Sequence, residues 1–320
     1  MQLSHLFFSD IPDVRWELCA QMGIRHAFAK LAPELTGRPD ISDLETFRCA
    51  RQRFADAGFD LVGLEGDQMD MHRIKLGLPG READAERYRR MLRNMGELGV
   101  KTLCYNFMPT GWFRTATDIR ERGGARVTGF SAAAARRLPD VGDVTASQMW
   151  DNYAWFLEAV LPTAEEAGVR LALHPDDPPV PVLQGIARIF IDPDGIRRAL
   201  ALSDSPSHGL TFCQGTYTTM GADVPALVRE WKDRLFFVHL RDVRGTAEDF
   251  HETFHDDGPT DMAAMLRLYR EVGFDGPLRS DHVPTMAGED NASPSYGMAG
   301  TLFGVGYIKG LMDALEIPRR

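Results

Sequence analysis

Short apolar runs and longer amphipathic stretches alternate along almost the whole chain. The apolar runs are Leu3–Phe8, Arg25–Ala29, Leu61–Leu64, Thr102–Asn106, Arg170–His174, Gly209–Cys213, Leu235–Leu240 and Pro277–Asp281. Their length and unbroken apolarity suit strands buried on both faces, as in a parallel sheet. Between them, apolar residues recur at helical spacing. Tyr88, Met91, Leu92, Met95 and Leu98 form one stripe, and Trp150, Tyr153, Ala154, Leu157, Val160, Leu161 and Ala164 a second. Val224, Leu227, Val228 and Trp231 form a third, and Met262, Met265, Leu266, Tyr269 and Val272 a fourth. Each stripe reads as the face of a helix packed on a sheet. Pro162 is expected to kink the second helix or end it early. Gly58, Gly99, Gly168 and Gly273 stand where helices should stop before the next strand.

Eight alternations of this kind predict an α/β chain folded as a (β/α)8 barrel, with residues 1–320 as a single TIM-barrel domain. A doubly wound sheet is the alternative, but no GxGxxG turn follows an early strand. Two connections are too long for plain linkers: Phe107–Thr145 after the fourth strand and His282–Met298 after the eighth. Long ordered loops of this kind are often lids or binding loops, and both would lie at the C-terminal mouth of the barrel. Ala132 to Ala135 read as helix.

Composition narrows the function classes. The chain has 320 residues, 44% of them hydrophobic and 26% charged, with a formal net charge of -10. That balance argues against nucleic acid as a partner, because backbone binders cluster Lys and Arg. An acidic substrate would therefore need positive charge supplied locally, by a metal or by Arg. Cys19, Cys49, Cys104 and Cys213 contain no CxxC pair and suggest no disulfide framework. The N-terminus lacks the pattern of a signal peptide, and no apolar stretch is long enough to span a bilayer. No membrane partner and a cytoplasmic setting are expected; the oligomeric state, homo-oligomer included, stays open.

The candidate chemistry sits at strand ends. His174, Cys213, His239 and Asp281 close the fifth to eighth strands. In a barrel of parallel strands these ends converge on one mouth, so residues far apart in sequence can meet. Singly, each has an ordinary explanation, such as a hydrogen-bonded His or a buried Cys acting as a small hydrophobe. Repeated on four successive strands, they point to a metal site. Nitrogen and sulfur donors suit Zn2+, Fe2+ or Co2+, and the carboxylate also admits Mn2+.

Neighbouring residues add to this. His282 follows Asp281 and is a residue type suited to act as acid or base, and Tyr296 lies further along the same loop. Asp176 and Asp177 are carboxylates beside a ligand, caps, or turn formers next to Pro178 and Pro179. Arg114 and Arg241 are candidates to bind an anionic group, with ion pairing as the alternative. His251, Glu252 and His255 have the spacing of a zinc-protease motif but a loop context, and read as a substrate-facing loop.

Several segments together resemble the mannonate dehydratase (UxuA) family. They are Tyr105-Asn106-Phe107-Met108-Pro109, His174-Pro175-Asp176-Asp177-Pro178-Pro179, Phe237-Val238-His239-Leu240-Arg241 and Arg279-Ser280-Asp281-His282. The stretch from Phe250-His251-Glu252 to Asp261-Met262 fits as well. The resemblance runs in order from the fourth strand to the C-terminus. It implies a xylose-isomerase-like TIM barrel that uses a divalent ion, typically Mn2+. It also implies a small-molecule sugar acid as substrate, with conversion of D-mannonate to 2-keto-3-deoxy-D-gluconate and water. On this resemblance His174, Cys213, His239 and Asp281 hold the metal, and His282 and Tyr296 are catalytic. Asn106, Asp176, Arg114, Arg241 and His251 are the substrate-binding candidates. The chain departs from the expected pattern at Ser280, where Pro is expected, and at Val283-Pro284, where Gly is expected. A related aldonate, a sugar isomerase or epimerase, and a non-catalytic sugar-acid-binding protein stay open as alternatives.

Overall fold

Eight parallel strands close into a barrel in the computed structural model, which describes residues 1–319. They are β1 (Gln2–Phe7), β2 (His26–Ala29), β3 (Asp60–Glu65), β4 (Thr102–Tyr105), β5 (Arg170–Leu173), β6 (His208–Cys213), β7 (Leu235–Leu240) and β8 (Pro277–Ser280). Each pairs with its sequence neighbours, and β8 closes on β1. The strands are the eight apolar runs of the sequence, shifted by a residue or two at their ends. Nearly every strand residue is buried, because helices cover the outside and side chains fill the inside.

The barrel interior is plugged below the mouth. Phe28 of β2 and Phe237 of β7 stack face to face with centroids 3.9 Å apart. This pairing needs a glycine on β3: a Cβ on Gly63 would come within 2.3 Å of the Phe28 ring. The edge of Phe237 supports His239 from beneath, with centroids 4.7 Å apart. The metal-type residues therefore stand on an aromatic floor that closes the barrel below them.

The helical stripes form helices at Arg81–Leu98, Ala146–Ala167, Val224–Glu230 and Met262–Glu271. Gly99 and Gly168 cap two of them in the left-handed conformation. Pro162 does not end the helix early, since the helix runs from Ala146 to Ala167. Pro162 lies on the exposed face, as does Glu158, whose carbonyl loses its helical partner to the ring. Water can satisfy that carbonyl, so the proline is tolerated.

The segment Phe107–Thr145 is not a plain loop either. It contains strands Ala116–Arg120 and Arg126–Ser131 and the short helix Ala132–Ala135. The segment after β7 supplies strands Val243–Thr246 and Asp249–Glu252, and the four strands form one antiparallel sheet. His251 and Glu252 are thus strand residues, not loop residues. The segment after β8 is tied to this sheet. Arg126 and Thr285 exchange backbone hydrogen bonds, and Thr128 Oγ1 lies 2.8 Å from Ser295 Oγ. The two long insertions form one roof over the mouth. Among the described residues, no helix is long and apolar enough to cross a membrane.

Candidate active site

The strand register brings the metal-type residues together. Cys213 is paired with His239 across β6 and β7, and His239 with Arg279 across β7 and β8. The ligand atoms of His174, Cys213 and His239 all lie within 4.8 Å of one another. Asp281 completes the group: its Oδ2 lies 3.6 Å from His239 Nδ1 and 4.0 Å from Cys213 Sγ.

The chemistry of this group fits a cation. His239 is buried, yet neither ring nitrogen has a hydrogen-bond partner among the described residues. Leaving such groups unsatisfied costs about 1–3 kcal/mol each, which a bound ion would remove. His174 Nδ1 donates to the Pro175 carbonyl at 2.7 Å, so Nε2 is the nitrogen that would give up its proton to a cation. Burial alone would raise the Cys213 thiol. The Arg241 guanidinium, 3.4 Å away, and His174 outweigh burial and hold the thiol well below its ordinary value. Thr216 Oγ1 donates to the same sulfur at 3.2 Å. Burial would lower His174, but Cys213 beside it pushes it up to about 9.

A second layer surrounds the donors. Arg114, Asp177, Arg241 and Glu252 form a closed ring of ion pairs, each side chain no more than 1% exposed. Arg114 meets Asp177 at 2.7 and 2.9 Å and Glu252 at 2.8 Å. Arg241 meets both carboxylates at 2.7 Å. Burial would raise the Glu252 carboxyl, but Arg241, His282 and Arg114 hold it at about 2. The expectation that Arg114 and Arg241 bind a substrate anion is therefore corrected. Their charge is matched by Asp177 and Glu252, and neither lines the cavity at the mouth.

That cavity has a volume of about 220 Å³. His174, His239, Asp281, His282 and Tyr296 line it, as do Lys30, Glu65, Asp67 and Asn106. His282 Nδ1 contacts Glu252 Oε1 at 3.1 Å, which fixes the ring with Nε2 on the Asp281 side. Trp112 packs over His282 with centroids 4.9 Å apart. Tyr296 is partly buried and packs against Phe8, and desolvation together with the Asp281 carboxylate raises its hydroxyl far above the ordinary value.

Other sequence candidates fall elsewhere. Asn106 lines the cavity, where its Oδ1 accepts from Lys75 Nζ at 2.9 Å. Asp176 does not; its Oδ2 accepts from the Ile189 and Phe190 amides and shapes the segment after β5. His251 faces away, with Nε2 3.0 Å from Glu121 Oε1. His255 is buried, with Nε2 donating to the Leu240 carbonyl.

Lys30, Glu65 and Arg279 were missed by sequence reasoning, although the same signal would have found two of them. Lys30 follows β2 and Glu65 ends β3, strand-end positions like the four donors. Arg279 points inward from β8 and meets Glu65 through two bonds, 2.9 and 2.6 Å. Burial would raise Glu65, but Arg279 and His239 hold it at about 2. Among the cations on the cavity wall, Lys30 has no buried carboxylate partner; Glu34, 3.8 Å away, is largely exposed.

The sequence model of the D-mannonate dehydratase (UxuA) family matches residues 13–139 and 133–320. A mannonate dehydratase of Shouchella clausii is 34% identical over 319 residues, covering 87% of each chain. Mannonate dehydratase 2 of Halalkalibacterium halodurans is 33% identical over 275 residues, covering 76% of this chain and 79% of that one. The crystal structure of mannonate dehydratase from Streptococcus suis serotype 2 superposes with a TM-score of 0.90 at 29% identity, covering 100% of this chain and 97% of that one. A xylose isomerase domain protein from Planctomyces limnophilus shares the barrel fold, with a TM-score of 0.65 at 11% identity and coverage of 98% and 97%. The chain belongs to the D-mannonate dehydratase (UxuA) family of hydro-lyases, on a TIM barrel.

Proposed function

We propose that this chain is a divalent-metal-dependent sugar-acid dehydratase that converts D-mannonate to 2-keto-3-deoxy-D-gluconate and water. The observation that carries the reading is the meeting of two groups at one cavity: His174, His239 and Asp281 on its wall with Cys213 buried behind them, and the His282–Tyr296 pair beside them. Those four residues would hold the ion. Mn2+ suits the set, and Fe2+, Co2+ and Zn2+ share its donor chemistry. When bound, the ion supplies positive charge that polarises a carboxylate or hydroxyl oxygen of the substrate.

The reaction breaks the C2–H and C3–O bonds of the aldonate. The electron pair of the C–H bond forms the C2–C3 double bond, and the resulting enol tautomerises to the 2-keto acid. His282 takes the C2 proton on Nε2, its Nδ1 being held by Glu252. Tyr296 gives a proton to the departing hydroxide, since desolvation and Asp281 keep its hydroxyl protonated. Lys30, on the cavity wall, offers its ammonium to the far part of the substrate. Trp112 and the roof keep water from the reacting carbons.

The test is turnover of C6 and C5 aldonates by the metal-free protein before and after Mn2+ is added back, read as keto-acid formation. Keto acid from D-mannonate only after add-back is the expected result. No keto acid from any aldonate with any of the four ions would overturn the reading.

A further inference from the structure

The donor set has an outer clamp that the ligand roles do not account for. Arg279 spans Glu65 and Asp281: two of its nitrogens meet the two Glu65 oxygens, and Nη2 also lies 2.8 Å from Asp281 Oδ1. Glu65 Oε1 in turn stands 3.5 Å from His239 Nε2. Glu65 and Arg279 thus face one outward atom on each of two donors, Nε2 of His239 and Oδ1 of Asp281. The two atoms left over, His239 Nδ1 and Asp281 Oδ2, face each other at 3.6 Å, beside Cys213. One ion pair anchored on β3 and β8 is positioned to aim two donors from β7 and β8 at a single point.

We infer that Glu65 and Arg279 are positioning residues that set the orientation of His239 and Asp281 toward the cation. Glu65 acts through its charge, because at 3.5 Å it forms no hydrogen bond with His239 Nε2. Its carboxylate faces Nε2 and favours the ring proton there, which leaves the Nδ1 lone pair free. This is the carboxylate–histidine–metal arrangement, whose outer member commonly contributes 10- to 100-fold in metal affinity. Both Glu65 oxygens keep a lone pair after binding Arg279, so the carboxylate can serve both partners. Arg279 fixes the Asp281 carboxylate through one oxygen and leaves the other for the ion. The inference rests on the metal-dependent reading of the site.

An opposite arrangement is present in the geometry. Glu65, Cys104 and His239 also bring ligand atoms within 4.8 Å of one another. A cation there would sit on the Nε2 side, with Glu65 a ligand and not a support. Two features weigh against it. The Nε2 side gathers three donors, whereas the Nδ1 side gathers four, His174, Cys213, His239 and Asp281. Burial and the Glu65 carboxylate hold the Cys104 thiol protonated, whereas Arg241 contacts and acidifies Cys213.

The experiment uses the full chain loaded with Co2+, reading affinity by titration calorimetry and thiolate ligation by the near-ultraviolet sulfur-to-cobalt absorption band. The wild type should bind Co2+ with that band, and Cys213→Ser should remove it while Cys104→Ser leaves it. Glu65→Gln should keep the band but weaken Co2+ binding about 10- to 100-fold, with the cobalt d–d bands shifted. Arg279→Gln reads the clamp from the Asp281 side, should weaken binding similarly, and serves if Glu65→Gln does not fold. Asp84→Asn breaks the ion pair between the buried Asp84 carboxylate and half-exposed Arg73, away from the site, and should leave Co2+ affinity unchanged, which separates positioning from general loss of stability. Unchanged Co2+ affinity in a folded Glu65 or Arg279 variant overturns the inference and leaves the metal-dependent reading intact. Loss of the band with Cys104→Ser instead of Cys213→Ser overturns it by moving the cation to the Nε2 side. A wild type that binds no Co2+ overturns both.

Discussion

The ring of Tyr296 meets the ring of His282 edge-on, with centroids 5.5 Å apart, although fourteen positions separate them. The loop after β8 doubles back between them: Val283 pairs with Tyr296, and the Val283 amide donates to the Ser295 carbonyl at 2.8 Å. His282 and Ser295 hold positive φ angles of 22° and 71°. Residues with a Cβ adopt that region at a cost, so the surrounding packing must enforce the turn. Val283 and Pro284, where the chain departs from the expected pattern, seat this turn on the following helix. The Pro284 carbonyl rests where any Cβ on Gly300 would come within 2.1 Å.

Separate roles for the two rings give separate signatures. His282→Asn should lower kcat by about 100- to 10,000-fold and stop exchange of the substrate C2 proton with solvent. Tyr296→Phe should lower turnover comparably but retain that exchange, because proton removal precedes hydroxide loss. Full turnover in both variants would sink the assignment.

Metal removal should be reversible. Dialysis against a chelator is expected to abolish dehydration, and Mn2+ to restore it. Cys213→Ser should weaken Mn2+ binding by at least about tenfold, as the thiolate and its contacts with Arg241 and Thr216 are lost. Tyr296→Phe should leave the affinity for Mn2+ unchanged. Calorimetry on the metal-free proteins checks both statements.

Lys30 offers a test of substrate binding that leaves the metal untouched. Its ammonium reaches the cavity without a buried carboxylate partner. Lys30→Met should raise KM about 10- to 100-fold with kcat largely kept, the equivalent of one charge-assisted hydrogen bond. A fall in kcat with KM constant would place Lys30 at the reacting carbons instead.

The buried ring of ion pairs should appear in acid stability. Burial alone would raise Glu252, but Arg241, His282 and Arg114 hold it at about 2, against an ordinary 4.5. A depressed carboxyl contributes stability that is complete above pH 4.5 and is lost as pH falls toward 2, because the unfolded chain takes up the proton first. Glu252→Gln should flatten the stability curve across that window. At pH 7 it should destabilise the fold by about 3–5 kcal/mol, since Arg114 and Arg241 lose a buried partner. Chemical denaturation at several pH values measures both effects.

The sequence by itself determined the barrel and one wall of its site. Unbroken apolar runs mark strands buried on two faces, and eight of them leave few other ways to close a sheet. Strand-end position is a local property, so His174, Cys213, His239 and Asp281 could be read one run at a time. Applied to the second and third strands, the same rule would have reached Lys30 and Glu65. Only the tertiary structure decided how charges pair. Arg114 lies 63 positions from Asp177 and 138 from Glu252, and no local pattern says that they meet. An arginine free to bind an anion and one neutralised in a buried ring look alike in sequence. The difference comes from how the sheet strands after β4 and β7 dock, which places two carboxylates against two guanidinium groups and excludes the water that would separate them.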